Sequence, residues 1–189
     1  MNRFKNLLEK NIDGRNILIL FIVTNLVYLT MILYSIPRIM RFSNGTKILD
    51  MLPFGYTFEY TNELFSALGA KGRNFYLYYQ IPLDMVYPFL FGITYTLVLA
   101  YFLKKINKFD SPLIYLCLLP LIAAFFDYLE NLGTINLLND YPNISETEVK
   151  INNFFTLIKS MVTTLYFISL TLIMVLLGIK KISKINTKP

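Results

Sequence analysis

Apolar residues are gathered into four long runs, at 17–36, 81–103, 112–138 and 153–179, separated by polar and basic stretches. A helix needs about 20 consecutive apolar residues to cross a bilayer. The pattern therefore predicts an all-α fold, a four-transmembrane-helix bundle forming a single integral membrane domain over 1–189. The first run is too long for the apolar part of a signal peptide, and no small-residue cleavage site follows it, so it reads as an uncleaved helix. Pro37 is expected to end it. Ahead of it, Phe4, Leu7, Leu8 and Ile12 recur at helical spacing, as in an amphipathic helix on the membrane surface.

Residues 37–80 form the longest stretch between runs. Pro53 and Gly55 punctuate turns there, and residues 61–69 read as a short helix stopped by Gly69. A structureless loop of this length is uncommon, so the segment is expected to fold as a short-helix cap over the outer mouth of the bundle. Pro82 suits a first helical turn, and Pro88 is expected to kink the second run. Ser111 reads as an N-cap before Pro112, and Pro120 as a bend.

Composition agrees with this pattern. The chain is 55% hydrophobic and only 16% charged, against about 25% charged in soluble domains. The net charge of +6 does not imply nucleic acid, because the lysines and arginines flank the apolar runs, where they set membrane topology. The lipid bilayer is the partner this composition requires. Four basic residues precede the first run, three lie at 104–108 and four follow the fourth run, whereas five are spread over 37–80 and one, Lys150, lies in the last loop. Their density predicts a multi-pass cell-membrane protein with both termini cytoplasmic. There is no histidine and one cysteine, Cys117. Zinc sites, Ser-His-Asp triads and haem ligation through histidine are set aside, and no cofactor or metal is assigned.

Candidate chemistry lies inside the runs. Asp127, Glu130 and Asn131 are spaced i, i+3, i+4, so they share one helix face. Asp84 lies one turn into the second run and Lys159 ~9 Å along the fourth. With alternating helix directions these charges fall in one layer of the outer half of the membrane, where ionisable residues mark functional sites by default. Three carboxylates face one lysine. A proton, a bound cation or a basic cap residue must balance them, and Arg73 is the cap residue best placed in sequence. Tyr87 and Tyr128 neighbour the acids as hydrogen-bond donors. Asp84, Asp127, Glu130 and Lys159 are thus the candidate catalytic groups, and Asn131, Arg73, Tyr87 and Tyr128 the candidate ligand contacts.

Residues Leu49-Asp50, Pro53, Gly55-Tyr56, Leu68-Gly69, Gly72-Arg73, Tyr76, Asp84, Tyr87-Pro88, Phe126-Asp127 and Glu130-Asn131 together resemble a family of small four-helix bacterial integral membrane proteins to which no activity attaches. Tyr79-Gln80-Ile81-Pro82 before an aromatic second helix is similar to the emopamil-binding/sigma-2 receptor superfamily of sterol isomerases and sterol-binding proteins. That resemblance implies four helices, a long first outer segment and intramembrane acids. The sterol isomerases use histidine and tryptophan, and this chain has neither.

Three functions fit these residues. The carboxylate/lysine cluster could form a pocket for a lipid or hydrophobic small molecule, with acid/base catalysis by a carboxyl. It could serve proton- or cation-coupled transport, for which four helices would need a homo-oligomer. It could be a structural charge network in a non-enzymatic membrane partner or assembly protein.

Overall fold

The computed structural model describes residues 2–186, with side chains for 3–182. Lys188 of the basic tail lies outside the described residues, as does the side chain of Lys184. The described residues form helices joined by short loops, without strands. Four helices are long and apolar enough to cross a membrane: Gly14–Phe42, Phe58–Lys105, Pro112–Asp140 and a fourth beginning at Glu146. They define a membrane protein built as an all-α four-helix bundle. A short helix, Asn2–Asn11, precedes them.

Proline shapes three of these helices without ending them. The first does not stop at Pro37 but continues to Phe42 through a π-helical turn at Met31–Ser35. Within a regular helix the Pro37 ring would collide with the carbonyl four residues back and leave it without a donor. A widened turn relieves both problems. The same device recurs at Tyr76–Gln80, directly before Ile81-Pro82. The two π-turns meet, and the Ser35 hydroxyl donates to Gln80 Oε1 across the contact. Pro120 acts differently. It has no N–H for the Leu116 carbonyl, which instead accepts from Leu119 N–H, so Pro112–Leu118 is a 3-10 helix and the α-helix begins at Leu119.

Residues 58–80, expected within the cap, are a helical extension of the second long helix. Gly69 does break it, at φ 59° and ψ −179°, a backbone that glycine adopts without a side-chain clash. What remains between the first two long helices is a loop at 43–57 with one 3-10 turn, Leu49–Met51. It lies over the bundle and buries Ile48, Leu49 and Tyr56. The N-terminal helix turns Leu8, Phe4 and Ile12 onto the bundle, leaving Leu7 outward, so its apolar face is covered largely by protein. Ion pairs Lys5–Asp110 and Lys104–Glu9 tie it to the end of the second long helix and the loop that follows it.

The core is divided in two. One apolar cluster, at the cap end, contains Ile81 of the second helix, Leu137 of the third and Val149 at the start of the fourth. The other contains Phe91, Ala123 and Val162 of the same helices. Asp84, Asp127, Glu130 and Lys159 fall between these residues on every helix. The charged layer expected from the sequence is the seam between two apolar cores.

Candidate functional site

Lys159 is the centre of the layer. Its Nζ lies 3.2 Å from Asp127 Oδ1 and in direct contact with Glu130 Oε2. Glu130 is fully buried. Its other oxygen, Oε1, accepts from Thr156 Oγ1 at 2.8 Å. Thr156 Oγ1 is also 3.3 Å from the Tyr56 hydroxyl. A hydroxyl has one proton, and the shorter contact to a carboxylate claims it, so the tyrosine's own proton completes the longer contact. Tyr56 OH in turn accepts from Asn152 Nδ2 at 2.9 Å, and the same amide donates to Thr134 Oγ1 at 3.0 Å. A buried chain thus runs from Asn152 through Tyr56 and Thr156 to Glu130, Lys159 and Asp127.

The cap loop enters this chain because of Gly55. Its φ is +91°, and a Cβ there would overlap Asn153 Oδ1. That oxygen accepts from Tyr56 N–H at 2.9 Å. Glycine therefore lets the loop approach the fourth helix closely enough for Tyr56 to reach into the polar layer.

Two carboxyls stand apart from Lys159. Asp84 is buried, and no ion pair or hydrogen bond reaches its carboxyl among the described residues. Asn131 Nδ2 donates at 3.0 Å to the Asp84 backbone carbonyl, not to its side chain. Asp50, from the cap loop, accepts from Tyr76 OH at 2.9 Å through Oδ2, while its Oδ1 is enclosed without a partner. Burial, reinforced by the nearby Glu130 charge, raises the Asp50 carboxyl to about 7. The folded form thus holds this proton more tightly than the unfolded chain does, so ionisation of Asp50 erodes stability as pH rises from about 4 to about 7. Asp50→Asn keeps an acceptor for Tyr76. It is expected to be more stable than the parent at pH 8 and to lose that advantage toward pH 4, read as thermal midpoints in detergent. A difference that does not change with pH would refute this assignment.

Asp50, Asp84, Asp127 and Lys159 share the wall of a cleft of about 410 Å³. The first long helix packs along the second, and the fourth along the third and second. The cleft fills the space left between the first and the fourth. Tyr28, Met31 and Ile32 form its side on the first helix, Tyr87 and Phe91 its floor, and Ser160, Thr163 and Thr164 its side on the fourth. Tyr28 and Tyr87 stack with ring centroids 5.5 Å apart. The cleft lining combines apolar and aromatic side chains with the carboxyls.

Several residues singled out in the sequence lie elsewhere. Arg73 does not balance the acids. Its Nη1 donates to the Phe65 carbonyl at 2.6 Å, and its guanidinium lies 4.5 Å from the Tyr141 ring centroid. Proximity along the chain did not predict the direction of this long side chain. Tyr128 donates to the Met85 carbonyl at 2.9 Å rather than to an acid. Glu130, Asn131 and Tyr128 stand behind the cleft wall, whereas Asp84, Asp127, Tyr87 and Lys159 are in it. Asp50, Asn152 and Thr156 carry no role in the sequence reading, and Tyr56, one of the tyrosines expected at the membrane interface, lies buried in the polar layer. A signal existed for two of them: Asn152, Thr156 and Lys159 are spaced i, i+4, i+7, one polar face of the fourth helix.

No family model, curated protein or solved structure matches this chain. The two resemblances drawn from its motifs therefore gain no support beyond those residues.

Proposed function

We propose that this is a multi-pass membrane protein, with both termini cytoplasmic, that binds a lipid or hydrophobic small molecule in the cleft between its first and fourth long helices. The observation that carries this reading is the mixed lining: aromatic and apolar Tyr28, Met31 and Phe91 in one cleft with Asp50, Asp84 and Asp127 and a single lysine. Pockets for small molecules combine an apolar wall with a few placed polar groups in this way. With Glu130 behind the wall, four carboxyls face one ammonium. A bound group that brings positive charge or donates hydrogen bonds balances the excess. Asp84, unpaired and in the wall, is the carboxyl best placed to exchange a proton with a ligand. Lys159 pairs with Asp127 and Glu130 and holds them in place.

The test is equilibrium binding to nanodisc-embedded protein of three molecules that differ only in their head: tetradecylamine, tetradecanol and tetradecanoate. The amine is expected to bind best and the acid worst, and Asp84→Asn is expected to remove this preference while the helical circular dichroism stays unchanged. Uptake by protein-containing discs equal to that of empty discs for all three would sink the reading.

A further inference from the structure

The cleft does not end at its polar wall. Thr163 and Thr164 also border a second space, a groove of about 440 Å³ that continues along the fourth helix past Phe167, Ile168 and Thr171 to Leu172. Its residues at 164, 167, 168, 171 and 172 lie on one helical face. The groove exists because short side chains alternate with long ones. Thr164 and Thr171 bend their hydroxyls back onto the Ser160 and Phe167 carbonyls, each at 2.8 Å. They therefore present methyl groups between the projecting Phe167, Ile168 and Leu172. The floor is apolar although its composition is half threonine. Phe167 also packs on Tyr95 of the second helix, ring centroids 5.7 Å apart, which fixes that side of the groove.

We propose that the ligand is a single-chain membrane amphiphile that enters sideways between the first and fourth helices, placing its head among Asp50, Asp84 and Asp127 and its chain along the Thr163–Leu172 groove. This rests on the reading of the cleft given above and adds the class of ligand and its route. Three observations support it. The two spaces adjoin at Thr163 and Thr164, which line both. From Ser160 to Leu172 the helix rises ~18 Å, the length of one extended chain of moderate size. The carboxyls lie toward the cap and the groove runs away from it, so a lipid of the cap-side leaflet already points in the right direction, head toward the cap and chain toward the midplane. A water-soluble ligand would need no such groove.

The experiment compares tetradecylamine with butylamine, binding each to the parent and to Thr171→Trp in nanodiscs. Thr171 is exposed and bonds only within its own helix, so the indole fills the groove without entering the bundle. Thr171→Trp is expected to weaken tetradecylamine about tenfold or more, the loss of several buried methylenes, and to leave butylamine unchanged. Thr164→Leu, a milder filling, is expected to give a smaller loss of the same kind. Parent-like tetradecylamine binding by both variants would overturn the groove while leaving the cleft reading intact. If neither amine binds the parent above empty discs, the cleft reading falls and the groove with it. Equal binding of both amines by the parent would mean that the groove holds only bulk lipid, and would overturn the inference as well.

Discussion

Lys159→Met is expected to destabilise the protein by about 3–5 kcal/mol, the cost of leaving buried charge unpaired. The size follows from burial. The Lys159 side chain is 16% exposed, that of Asp127 11% and that of Glu130 not at all. Removing the ammonium leaves Glu130 with one hydrogen bond, from Thr156, and no counter-charge. A surface pair of the same geometry would change stability by ~1 kcal/mol or less. The cause can be separated from simple loss of packing. In Lys159→Met/Glu130→Gln the fully buried charge of Glu130 is gone while Asp127 keeps its own, Thr156 still has an acceptor, and a large part of the stability should return. Reversible unfolding in mixed micelles measures both variants. A single variant as stable as the parent, or a double variant no better than the single, would show that the pair is not the keystone of the layer.

The legible part of this molecule is the part dictated by repetition along one helix. The apolar runs placed the four long helices, because length and hydropathy need no knowledge of neighbours. The i, i+3, i+4 spacing of Asp127, Glu130 and Asn131 showed that one face of the third helix is polar, and Thr134 extends that face by another turn. The shared depth of Asp84, Glu130 and Lys159 followed from helical rise and alternating direction. Proline misled where it was read as punctuation. At Pro37 a π-turn absorbs the ring and the helix runs on. The 58–80 stretch misled because Gly69 reads as the end of a short helix, whereas the chain resumes its helix beyond that break as the extension of the second helix. What no single-helix pattern could show is contact between elements. The Tyr56 hydroxyl reaches Asn152 across 96 positions of sequence, and the cap loop supplies Asp50 to a cleft built by all four helices. The motif containing Asp50, Gly55 and Tyr56 was recognisable as a pattern, but its meaning is the docking of that loop onto the fourth helix.

Gly133→Ala carries the second large effect, expected at about 2–4 kcal/mol from forced overpacking and lost buried hydrogen bonds together. Gly133 sits on the third helix against Asn152 of the fourth, and a Cβ there would overlap Asn152 Oδ1 and Cγ. In most helices alanine is better than glycine by about 1 kcal/mol, so the sign of the effect is diagnostic. Asn152 is 1% exposed. Its amide is committed to Tyr56 and Thr134, and it cannot move aside without releasing both. Releasing Tyr56 would loosen the cap loop and, through Thr156, the support of Glu130. The interlock predicts strong non-additivity. Asn152→Ala alone should be destabilising, because it removes the hub. Adding Gly133→Ala to it should cost nothing further, since the overlapping atoms are gone and the helix gains a better residue. A double-mutant cycle from unfolding midpoints measures this coupling. Additive losses would mean that Gly133 is needed for some reason other than the close approach of Asn152, and that the third and fourth helices are not locked at this point.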